Sequence, residues 1–112
     1  MRRPSQPAAF TKKEIAQLFK TAKRAVQHPG LTILCAPKTK DYGRLLVVTP
    51  AKIGSAPERN RIRRRLKALF YEHKLFEHGL DCIIIIKKEG INLGIHQLKE
   101  LLFKALASFQ EK

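Results

Sequence analysis

The sequence predicts an α+β sandwich: one small mixed sheet with helices packed on it, in the order helix, strand, strand, helix, strand, helix. Three observations carry this reading. Two segments open with capping-box spacing and continue with apolar residues at helical period. Three aliphatic runs of strand length stand between turns that contain Gly or Pro. The second helix joins two of those runs, a connection long enough for the two strands to lie parallel around a crossover. At 112 residues, 44% of them hydrophobic, the chain suits one domain with a real core, spanning residues 10–112.

Each element follows from local chemistry. The opening stretch MRRPSQPAAFTKK carries Arg2, Arg3, Lys12 and Lys13, no acid and no apolar signal-peptide core. Residues 1–9 are therefore expected to form a flexible basic arm. Thr11-Lys12-Lys13-Glu14 has capping-box spacing, and Phe10 and Ile15 stand at staple positions. Ile15, Leu18, Phe19, Ala22 and Val26 then give one apolar helical face, which His28-Pro29-Gly30 should stop. Residues 31–36 and 44–49 read as two strands, and the short polar link between them implies an antiparallel hairpin. Pro50 ends regular pairing. Ser55-Ala56-Pro57-Glu58 repeats the capping box and starts a helix over residues 56–73. After the His78-Gly79 turn comes a strand over residues 81–87. A last helix over residues 93–109 shows Ile95, Leu98, Leu102, Ala105 and Phe109 on one face.

Composition narrows the function. Lys and Arg number 23 against 9 Asp and Glu, a net charge of +14. Such a charge on a small body repels itself and persists where a polyanion neutralises it, with nucleic acid ahead of an anionic membrane surface. The longest apolar run, residues 82–86, is far short of the roughly 18 residues of a membrane span. Cys35 and Cys82 sit in apolar runs without a CxxC pair and are expected as reduced thiols packed in the sheet. His28, His73, His78 and His96 show no metal-ligand spacing, and Asp41, Glu58, Glu72, Glu77 and Asp81 form no paired-carboxylate motif. A self-contained nuclease is not indicated.

The second helix carries the sharpest signal. Arg59-Asn60-Arg61-Ile62-Arg63-Arg64-Arg65-Leu66-Lys67 places six cations in nine residues. On a helical wheel Ile62, Leu66, Leu69, Phe70 and His73 share one side. Arg61, Arg63, Arg64 and Lys67 project from the other, with Arg59 and Arg65 at the flanks. A merely solvated face would intersperse acids, yet none occurs between Glu58 and Glu72. Arginine can fork two N–H donors onto a phosphate, so a rigid phosphate-binding surface is expected. The element order is not a helix-turn-helix and no zipper heptads follow, which favours structured RNA over a DNA groove.

The segment ERNRIRRRLKALF, with Lys52-Ile53-Gly54 upstream and Lys67 and Phe70 downstream, resembles the signature of the protein subunit of bacterial ribonuclease P. More weakly, the resemblance extends from Phe10 to Phe109 and includes the strand Ile83-Ile84-Ile85-Ile86. It implies a cytoplasmic ribonucleoprotein that removes the 5′ leader of precursor tRNA. In it a catalytic RNA holds most of the Mg²⁺, the protein supplies no catalytic residue, and no obligatory protein partner or membrane is involved. Carried over residue by residue, Lys52, Arg59, Asn60, Arg61, Arg63, Arg64 and Lys67 become the RNA-binding set, with Asn60 also helping to position a metal or a leader nucleotide. Phe19 and Thr49 would border the leader cleft, although an aromatic at Phe19's helical spacing is as often core. The family pattern also implies a left-handed crossover between the parallel strands, which general topology rules disfavour. The chain departs from that pattern at Pro50-Ala51, at Ala22, and in lacking an aromatic among Leu31, Ile33 and Leu34. A ribosomal or other RNA-assembly protein shares the size and charge, and a DNA-binding regulator is a third reading.

Overall fold

The computed structural model describes residues 10–110, the side chains of 109 and 110 excepted. The basic arm expected over residues 1–9 and the apolar contact expected of Phe109 lie outside the described residues. Helix α1 (Lys12–Thr21) is followed by strands β1 (Lys23–His28), β2 (Leu31–Pro37) and β3 (Leu45–Val48), helix α2 (Ala56–Glu72), strand β4 (Leu80–Ile86) and helix α3 (Ile95–Gln110). The four strands form one sheet in the order β1-β2-β4-β3. Strand β4 pairs antiparallel with β2 and parallel with β3, so α2 is the crossover between two parallel neighbours. Among the described residues no helix is long and apolar enough to cross a membrane.

Two expectations are corrected. The first helix does not continue to residue 26: it ends at Thr21, where Ala22 turns to φ −71°, ψ 142° and its N–H still reaches the Leu18 carbonyl. The next residues form β1, an additional strand that pairs with β2 through the turn at Pro29-Gly30. Val26, placed by helical spacing on an apolar helix face, instead points from a strand into the core. Pairing along a whole neighbouring strand outweighs the modest local helix preference of KRAVQH. Second, β2 and β3 do not form a hairpin. Strand β4 lies between them and is buried on both faces except at Ile85. So apolar a run is stable only at the centre of a sheet, with a neighbour on each side.

Side-chain alternation divides the core. Leu31, Ile33, Cys35, Leu45, Cys82, Ile84 and Ile86 face α2 and α3 and meet Ile62, Leu66, Phe70, Leu98 and Leu102. Ala36 and Ile83 face the other way, against Leu18 of α1. That second face is only partly covered, and Leu34, Leu46, Val48 and Ile85 remain half-buried on it. Gly43 lets the chain enter β3 against the β4 backbone: a side chain there would collide with the Leu80 carbonyl. On α3, Leu98, Leu102 and Ala105 are buried as their spacing implies, whereas Ile95 at the helix start is exposed.

Candidate nucleic-acid interface

Helix α2 begins where the chain leaves β3. After Val48, Thr49 and Pro50 lead into a 3₁₀ turn over Ala51–Ile53, which carries Lys52 exposed at its surface. Ser55 caps α2 reciprocally: its hydroxyl accepts from the Glu58 N–H, and its own N–H donates to the Glu58 carboxylate at 2.9 Å. That backbone donor holds the Glu58 carboxyl below its ordinary range. Ile62, Leu66, Leu69 and Phe70 are buried, joined by Tyr71, while His73 stays exposed at the C-cap with its ring edge-on to Phe103. One side of the helix is thus fixed in the core, and the opposite side is held rigid with it.

The arginines on that helix divide into two sets. Arg59, Arg63 and Arg65 turn back onto the protein. Arg59 Nε donates to the Gly54 carbonyl at 3.3 Å, and Arg65 Nη1 to the Leu93 carbonyl at 3.2 Å. Arg63 is the most engaged: Nε and Nη2 both donate to the Thr49 hydroxyl oxygen, and Nη1 donates to Asn60 Oδ1 at 3.2 Å. Arg61 and Arg64 are exposed, Arg61 donating to Asn92 Oδ1 at 3.1 Å. Asn60 is exposed and Lys67 half-buried. Among the described residues no carboxylate pairs with any of these cations. The ion pair of Arg44 with Glu14 lies elsewhere, at α1. The charge of Arg61 helps to lower the Glu58 carboxyl, but that carboxylate serves the Ser55 cap, and an arginine face so short of counter-charge is built to take anions from outside.

Of the two other expected residues, one stands on α1 and the other directly after β3. Phe19 is 45% exposed, so the buried residue of that turn of α1 is Leu18. Thr49 follows β3 directly and is half-buried, its oxygen occupied by Arg63. Beyond it, a cavity of about 390 Å³ is lined by Pro50, Lys52, Ile53, Ile85, Lys87 and Lys88 among others. A larger one of about 560 Å³ lies along α1, with Lys13, Lys20, Lys40 and Arg44 in its wall and no residue of α2. Sequence reasoning missed the anchoring of Arg63 by Thr49. It also missed the Arg44–Glu14 pair, for which the isolated arginine at the start of an apolar strand was the available signal.

The described residues form no all-protein site for Mg²⁺. Mg²⁺ takes carboxylates, phosphates and waters in a near-ideal octahedron. No three His, Cys, Asp or Glu of the described residues gather closely enough to hold a metal. The carboxamide oxygen of Asn60, the expected contributor, faces the guanidinium of Arg63.

Fold and surface together define a small basic α+β protein organised around one arginine-rich crossover helix. The family model for ribonuclease P matches residues 10–110, and the chain belongs to the ribonuclease P protein family. It is 35% identical over 99 residues to the ribonuclease P protein component of Photobacterium profundum, covering 85% of this chain and 80% of that one. To the component of Petrotoga mobilis it is 32% identical over 87 residues, covering 71% and 74%. The Staphylococcus aureus RNase P protein superposes with a TM-score of 0.74 at 21% identity, covering 92% of this chain and 94% of that one. The Thermotoga maritima protein superposes at 0.70 and 24%, covering 85% and 90%. Both structures share its fold.

Proposed function

We propose that this chain binds the catalytic RNA of ribonuclease P through the outer face of α2 and guides the 5′ leader of precursor tRNA along the open face of the sheet. Hydrolysis is carried by the RNA with its Mg²⁺, and the protein holds the substrate in place. The observation that carries the reading is the exposure of Arg61 and Arg64 on a helix whose other side is locked in the core, with the one acid near Arg61, Glu58, committed to the Ser55 cap. Rigid forks of this kind bind phosphates with little further ordering. Phe19, at the surface of α1, offers a stacking platform to an unpaired leader base. Lys52, Lys87 and Lys88 line the end of the same sheet near Ile85 and supply charge along a backbone path. The cytoplasm, where precursor tRNA is made in bacteria, is the compartment this role requires.

The test is cleavage of precursor tRNA by a bacterial ribonuclease P RNA at low Mg²⁺, with and without the protein. Protein-dependent production of the mature 5′ end supports the reading. Binding without stimulation points to an assembly protein of another RNA, and absence of binding removes the reading altogether.

A further inference from the structure

We propose that Arg63 is a positioning residue which turns the amide nitrogen of Asn60 outward, so that Asn60 meets a hydrogen-bond acceptor of the RNA and no cation. The inference deepens the RNA-binding role proposed for α2 and rests on it. It begins with hydrogen-bond supply. A guanidinium has only donors, and Arg63 spends three of its five N–H groups inside the protein. Two fill the lone pairs of the Thr49 hydroxyl, tying the middle of α2 to the exit of β3. The third goes to Asn60, three residues earlier on the same helix face.

That third bond decides how Asn60 is oriented. Only the oxygen of a carboxamide can accept, so the Arg63 donor holds Oδ1 toward the guanidinium and leaves both N–H donors of Nδ2 turned away from it. Asn60 is exposed, and those donors face solvent where the outer face of α2 meets its partner. A divalent ion at Oδ1 would sit beside a positive guanidinium, which repels it. A phosphate oxygen or a base carbonyl approaching Nδ2 is welcomed by both the amide and the nearby positive charge. The residue that six cations surround in sequence is thus a neutral donor of fixed orientation.

The test separates anchoring from direct contact without altering charge. Affinity is measured across a salt series for two steps: protein with ribonuclease P RNA, then the assembled complex with precursor tRNA. Thr49→Val removes the oxygen that holds Arg63. The expected result is about a fivefold loss of affinity with an unchanged salt slope, the scale of one hydrogen bond. Thr49→Ser keeps the oxygen and should restore wild-type affinity, and in an Asn60→Ala background Thr49→Val should cost nothing further. Equal or tighter binding by Thr49→Val would show Arg63 to be a direct phosphate contact and overturn the assignment. So would recovery of Asn60→Asp with rising Mg²⁺, because that variant supplies the better metal ligand. The step that shows the Asn60→Ala loss identifies which RNA is touched. A loss uniform across leader sequences indicates a phosphate acceptor, and one that varies with sequence a base. Arg61→Ala is the control: if it and Arg64→Ala leave affinity and slope unchanged, it is the role of α2 in RNA binding that fails. Thermal melting of each variant confirms that it is folded.

Discussion

The carboxylate of Glu14 receives both terminal nitrogens of Arg44, at 3.0 and 3.3 Å, and this joins α1 to the start of β3 across 30 residues of sequence. The Arg44 guanidinium also lies 4.1 Å from the centre of the Phe10 ring, and its backbone N–H donates to Asp81 at 2.8 Å. Helix α1, which has only Leu18 fully buried, is therefore seated as much by this charge cluster as by apolar contact.

The pH dependence follows from the carboxyl groups of that cluster. The hydrogen bond from Arg44 pulls Glu14 down from the ordinary 4.5 to about 2. A carboxyl lowered on folding contributes stability above its unfolded pKa and loses it as pH falls through the folded one. Glu14→Gln should accordingly be less stable than the parent at neutral pH, with the gap closing between pH 4.5 and about 2. Asp81 works in the opposite sense, because burial raises its pKa and its protonated form is favoured on folding. Thermal melts of the parent and Glu14→Gln across this range check the prediction; a gap independent of pH would refute it.

The two faces of β4 should respond differently to truncation. Ile84 is fully buried between the sheet and the pair α2 and α3, while its neighbour Ile85 is half-buried on the open side. Ile84→Ala should cost about 2–5 kcal/mol, the usual loss for a buried aliphatic side chain and the cavity it leaves. Ile85→Ala should cost clearly less in stability and lower the affinity for precursor tRNA, since its side chain forms part of the proposed leader path. Urea unfolding and binding titrations on the same two variants compare the effects.

Much of this arrangement is legible in the sequence, and the parts that are not share a cause. Helix α2 could be read almost to the residue, because Ser55, Pro57 and Glu58 specify its start locally and Ile62, Leu66 and Leu69 mark its buried side. The parallel pairing of β3 and β4 could likewise be read from the helix between them. Strand β1 could not: Leu18, Ala22 and Val26 keep helical spacing across a point where the backbone has already turned extended. What makes residues 23–28 a strand is β2, which lies beyond a turn that looks equally well like a helix stop. In the same way, the anchoring of Arg63 and Arg65 depends on Thr49 and Leu93, which the fold alone brings to the helix.

For Arg61 and Arg64, the prediction concerns salt. Each phosphate neutralised by a side chain releases counterions, so log affinity falls with log salt at a slope set by the number of contacts. Arg61→Ala and Arg64→Ala should each weaken RNA binding and reduce that slope by about one contact. Arg65→Ala should act mainly on stability, because its guanidinium is committed to the Leu93 carbonyl. Filter-binding titrations at several salt concentrations, alongside melting curves, separate the two behaviours. Equal slope changes for all three would mean that the hydrogen bond to Leu93 does not hold Arg65 away from the RNA.

Phe19 provides the cleanest separation of substrate from scaffold. Phe19 is 45% exposed, so Phe19→Ala removes little buried area and should leave the melting temperature nearly unchanged. If an unpaired leader base stacks on it, the variant complex should bind precursor tRNA more weakly by about 1–3 kcal/mol. Affinity for mature tRNA, which has no leader to stack, should be unaffected, and Phe19→Tyr should retain most of the parent affinity because the flat ring is preserved. The ratio of precursor to mature tRNA affinity therefore reports on the ring directly. A ratio unchanged by Phe19→Ala would move the leader off α1 and onto the lysines beside Ile85.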